Sequence, residues 1–139
     1  MKKLISFFGV ALALLLFLTP ALPQSSPKKY LSAAGTNSTL VWGGRALLRT
    51  ILPINTTTTM YYLKLYNTAT PPTCGSGTPS MVIPIPFGSG NAGGGVALPS
   101  VDGLIFQQGL GFCLTGGIAD NDTTPAAAGV VINLGVSSQ

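Results

Sequence analysis

Beyond residue 24, the hydrophobic positions recur with a period of two, not 3.6, and turn-forming residues interrupt them every eight to twelve positions. Alternation of that kind marks half-buried strands. The longest apolar run is 46–54, broken by Arg49 and Thr50. In the next run Tyr61, Leu63 and Leu65 alternate with Tyr62, Lys64 and Tyr66, and the first set has the stronger claim to a core. In "MVIPIP" at 81–86, Ile83 and Ile85 share one face while Pro84 and Pro86 take the other. Proline cannot donate to a ladder, so this run is predicted to be an edge strand. Short strands are expected at 96–98, 103–106 and 110–115, with Ile105 and the apolar part of 110–114 buried. Val130, Ile132, Leu134 and Val136 share one face of the last. The intervening "NTTTT", "NTATPPTCGSGTP" and "ADNDTTPAAAG" have turn chemistry, and "GSGNAGGG" reads as a hairpin tip. Seven or eight such strands predict an all-β fold, a two-sheet antiparallel sandwich of jelly-roll or immunoglobulin-like form. The sandwich is assigned to 45–139, with 25–44 as an N-terminal arm.

The N-terminal segment has a different pattern. Lys2 and Lys3 precede an uncharged apolar run over 4–18, and Thr19, Pro20 and Ala21 end it. This is the layout of a signal peptide, a hydrophobic helix over 1–24 with cleavage near Ala21. Fifteen apolar residues fall short of the roughly 20 that a spanning helix needs, and no stable membrane span is expected in the mature chain. An uncleaved anchor and a mis-assigned start codon are the alternatives.

Charge narrows the function classes. The chain carries a formal +4, but Lys28, Lys29, Arg45, Arg49 and Lys64 face only Asp102, Asp120 and Asp122 beyond residue 24, which leaves +2. Five scattered cations do not make a basic stripe, so nucleic acid is not an expected partner. Eight charged side chains in 115 residues lie far below the usual quarter of a soluble domain. A surface built from Thr, Ser, Gly, Asn and Ala suits assembly with copies of the chain or with a larger particle. A neutral, hydroxyl-rich exported coat is the alternative.

Catalytic chemistry has little to work with. There is no histidine, and the only acids are the three aspartates. A nucleophilic thiol normally needs a basic partner to become a thiolate. Cys74 and Cys113 are therefore read as a disulfide in an exported chain, with two buried free thiols as the alternative. Asp120 and Asp122 form a turn whose side chains bond their own backbone, with a calcium site as the weaker reading. No enzyme activity and no cofactor are expected. The glycines of "GLGFCLTGG" lack the strand-loop-helix setting of a phosphate cradle and imply close backbone approach instead. Sequons at Asn37, Asn55 and Asn121 would matter only in a eukaryotic secretory pathway.

One binding site can be sketched. Tyr62 and Tyr66 flank Lys64 on one strand face, and with Trp42 nearby they could form an aromatic platform for a glycan. Core tyrosines with their hydroxyls at the rim are the plainer reading.

The runs "YYLKLYNTATPPTCGSGTPSMVIPIP" and "GLIFQQGLGFCLTGGIADNDTTPAAAGVVINLG" resemble a group of small virion-associated proteins of tailed bacteriophages and prophages. The resemblance spans roughly 45–136. It implies a compact β-sandwich, no catalysis and a place in the head, neck or tail of a particle. The leader has no counterpart there, and heads and tails assemble in the cytoplasm, where a disulfide does not normally persist. Two expectations follow. The chain is a non-enzymatic structural protein, located in a virion by the resemblance or exported by its signal. Otherwise it is a secreted surface or carbohydrate-binding module using Trp42, Tyr62 and Tyr66.

Overall fold

The computed structural model describes residues 24–89 and 92–139. The expected signal segment and its cleavage position near Ala21 lie outside them, apart from Gln24. Among the described residues nine strands form: β1 (Ser26–Leu31), β2 (Thr39–Gly43), β3 (Ala46–Asn55), β4 (Tyr61–Asn67), β5 (Met81–Ile85), β6 (Gly94–Gly95), β7 (Leu98–Phe106), β8 (Gly109–Thr115) and β9 (Val130–Ser138). They make two antiparallel sheets. Sheet 1 runs β1-β9-β3-β6, with β7 also pairing β3, and sheet 2 runs β2-β8-β4-β5. Among the described residues, no helix is long and apolar enough to cross a membrane.

The core lies between the sheets and follows the alternation. Tyr61, Leu63 and Leu65 of β4 meet Ile83 and Ile85 of β5, Leu110, Phe112 and Leu114 of β8, and Val130, Ile132, Leu134 and Val136 of β9. Tyr30 from sheet 1 meets Phe112 from sheet 2 edge-on at 5.3 Å between centroids, a geometry that favours aromatic pairs. In β3 the buried positions change parity, from Ala46 and Leu48 to Ile51, because a bulge falls between Leu48 and Thr50. An extra residue in one strand turns every later side chain to the other face. β5 lies at the edge of sheet 2 with Pro84 exposed, as a proline in a strand requires.

Three expectations are corrected. Residues 25–44 are not a separate arm: β1 pairs with β9 along its whole length, and β2 pairs with β8. The backbone of β9 supplies the ladder that the polar "SPKKYL" gives no sign of seeking. The strands expected at 96–98 and 103–106 become the single β7, with Val96 just ahead of it, and the glycine-rich stretch contributes β6. Ile105 is 49% exposed and Phe106 is buried, because the pairing of Leu47 with Ile105 turns Ile105 to the outer side of sheet 1.

Asn55 shows why a sequon is not always an acceptor. Its side chain is fully buried, donating to the carbonyls of Thr59 at 2.8 Å and Ile85 at 3.4 Å, and accepting from the N–H and hydroxyl of Thr57. It is the internal brace of the β3–β4 turn.

Candidate functional site

The two outer faces of the sandwich differ, and the difference begins with which residues alternate out of β4 and β8. In sheet 2 the outward positions are Tyr62, Lys64 and Tyr66 on β4, opposite Thr115, Cys113 and Gly111 on β8. Two loops cover them. The loop after β4 is pinned by the Cys74–Cys113 disulfide, whose Cα atoms are 5.8 Å apart. It crosses β8 at Gly111, where a Cβ would sit 2.8 Å from the ring of Pro72. The Ser38 hydroxyl donates to the Pro72 carbonyl and holds the loop from its other side.

The second loop follows β8 and is held by charge. Lys64 is fully buried, and its ammonium donates to the backbone carbonyls of Ala119 at 2.5 Å and Asp122 at 3.4 Å. Asp122 turns inward. It accepts from the Gly117 N–H at 2.8 Å, the Thr124 hydroxyl at 2.7 Å and the Thr124 N–H at 3.3 Å. Gly117 leaves room for this carboxylate, since a Cβ there would fall 2.7 Å from its carbon and push it aside. The Thr124 hydroxyl, helped by the two N–H groups and the charge of Lys64, holds this carboxyl below its ordinary 3.8 against the opposing effect of burial.

A group whose folded-state pKa is depressed stabilises the fold above its unfolded pKa and loses that contribution as pH falls through the folded value. Wild-type protein is therefore expected to lose stability below about pH 4 through Asp122. Asp122→Asn should flatten this acid limb. Urea midpoints measured between pH 2 and 7 check it, and an unchanged limb in the variant would assign the titration to another group.

Asp120 lies exposed at the tip of the same loop, so the two aspartates do not converge. Among the described residues, no three His, Cys, Asp or Glu side chains come together to hold a metal.

The aromatic platform is not assembled either. Trp42 pairs with core-facing Leu110 across a bulge between Leu40 and Trp42, which places it on the inner side of sheet 2. Its ring lies 5.6 Å from the Lys28 ammonium, a cation–π contact at the margin between the sheets. Tyr62 and Tyr66 lie on the opposite, loop-covered face. Tyr66 is buried, and its hydroxyl has no hydrogen-bond partner among the described residues. Burial, then the charge of Asp120, pushes its phenol above the usual range. Removing an unpartnered buried hydroxyl costs little. Tyr66→Phe is expected to change stability by less than about 0.5 kcal/mol or to raise it. A loss above about 2 kcal/mol in urea unfolding would reveal a hydrogen bond that the geometry does not show.

Among the described residues, no loop covers the outer face of sheet 1 around Gly135. Register sets Pro27 and Lys29 of β1 beside Gly135 and Asn133 of β9, and these beside Thr50 and Leu52 of β3. They line a groove of about 640 Å³. Gly135 lowers its floor by leaving the middle of β9 without a side chain. On the same face Leu31, Leu52 and Ile105 are 71%, 38% and 49% exposed. No motif pointed to this surface. Its parts come from 25–29, 50–52 and 133–135, and only the ladder joins them. Comparison with protein-family models, curated proteins and solved structures found no match to this chain.

Proposed function

We propose that this chain is a non-enzymatic structural protein that assembles with itself or on a larger particle, in keeping with its resemblance to small virion-associated proteins of tailed phages and prophages. The asymmetry of the sandwich carries the reading. One outer face is covered by a disulfide-pinned loop and a lysine-anchored loop, while the other carries a broad groove and exposed apolar side chains, of which Leu52 lines the groove. A largely uncharged surface of this kind is suited to being covered.

The strand distribution favours a jelly roll over an immunoglobulin-like sandwich. β1, β9, β3 and β7 gather in one sheet and β2, β8, β4 and β5 in the other, whereas an immunoglobulin sandwich keeps its first two strands together. Jelly rolls serve in capsids and in lectins alike, so the fold agrees with an assembly role without selecting it.

The test is the intact mass of the chain, without reduction, in gradient-purified particles and in the soluble exported fraction of a producing culture. Recovery in particles at many copies supports the structural role and reports the state of the leader. Recovery only as a processed soluble species overturns the particle reading in favour of an exported module.

A further inference from the structure

We infer that this chain associates head to tail, the 116–122 loop of one copy seating Ile118 and Asp120 in the sheet 1 groove of the next, against Leu52 and Lys29. The inference rests on the reading of the chain as an assembling subunit and adds the surface and the partner.

The loop has the properties of an anchor. Ile118 is 64% exposed, and the residues on either side of it, Gly117 and Ala119, are both held by hydrogen bonds. Lys64 holds Ala119 and Asp122 from below, and the Asp122 carboxylate ties Gly117 to Thr124. Inserting a loop that is already ordered avoids most of the ordering entropy that weakens flexible contacts. An apolar side chain on such a support resembles the buried anchors that dominate interface energetics.

The groove is complementary in charge. Lys29 lines it from the outer face, with no acid among the lining residues, while the Lys28 side chain turns inward to Trp42. The loop offers Asp120, which is exposed, while Asp122 is engaged internally. Pairing two copies groove to groove would instead set Lys29 against Lys29, a like-charge contact that disfavours the wrong partner. Strand addition is also obstructed at one edge of each sheet: β1 carries Pro27, Lys28 and Lys29, and β5 carries Pro84.

Knob and groove lie on opposite faces of the sandwich, so each docked copy leaves a free groove at one end and a free knob at the other. Such a contact is heterologous and grows into rings or filaments.

Sedimentation velocity of the full chain over a range of concentrations tests this. Wild-type species are expected to grow past the dimer. Ile118→Asp and Leu52→Asp, both at exposed positions, should each weaken association at least tenfold with an unchanged thermal midpoint. Lys29→Asp and Asp120→Lys should each do the same alone, and an equimolar mixture of these two should recover association, because each supplies the surface complementary to the other. Wild-type assembly indifferent to all four variants would overturn the knob and groove while leaving the assembling role standing. A chain that stays monomeric at every concentration would overturn the inference outright, with recovery of the chain in particles then deciding the role itself.

Discussion

Changing both Cys74 and Cys113 to serine is expected to lower the unfolding free energy by about 4 kcal/mol, the largest loss foreseen for any change outside the core. The cross-link joins residues 39 apart, and closing a loop of that length removes much of the entropy of the unfolded chain. Its native surroundings add to the effect. Cys113 is fully buried at the centre of β8, and the loop it holds covers Gly111 and carries buried Pro72 and Pro79. For a domain of this size the loss corresponds to roughly 15 °C in melting temperature. A reductant should produce a similar shift in the wild type and none in the double variant. If the double variant lost less than about 1 kcal/mol, the unfolded chain would already be compact between the two cysteines, and the loop would owe its position to packing alone.

The prediction was open to sequence reasoning because cysteine pairing is a matter of count and setting. The core was open to it for a similar reason: alternation in 61–65 and 130–136 reports which side chains turn inward, whatever the order of the strands. What stayed hidden depends on where strands lie relative to each other. "SPKKYL" has no apolar alternation, so β1 becomes visible only once β9 is in place to pair with it. Trp42 was grouped with Tyr62 and Tyr66 because all three are aromatic, but the β2 bulge turns it inward while they point out. Ile105 was assigned to the core by its hydrophobicity, whereas its register with Leu47 puts it outside. Of the groove, Leu52 and Thr50 lie on a run that was recognised as a strand, yet nothing local says that their neighbours across the sheet are Asn133 and Gly135. The fate of Lys64 was the least legible of all. Alternation placed it on an outer face, where lysine is ordinarily solvated, and only the loop after β8 buries it.

That buried lysine leads to the second large effect. Lys64→Met keeps most of the stem and removes the ammonium, so the Asp122 carbonyl loses its donor and the Ala119 carbonyl keeps only the Asp122 N–H. Hydrogen bonds to a charged group contribute about 1.5–3 kcal/mol each at the protein level, while removing the cation also removes its cost of desolvation. The balance should be a net loss of about 2 kcal/mol, because truncating one partner leaves the other unsatisfied. The loss should also be local. Hydrogen exchange is expected to quicken at Asp122, whose N–H donates to Ala119, and at Gly117, whose N–H donates to the Asp122 carboxylate, while the β4–β8 ladder stays protected. Lys64→Arg should not restore the loop, since a planar guanidinium cannot take the place of a compact ammonium in a fully buried site. A variant more stable than wild type would mean that the cation costs the fold more than its two carbonyl bonds return. Lys64 would then be retained for the shape it imposes on the Ile118 loop, and loss of self-association in that same stabilised variant would say so directly.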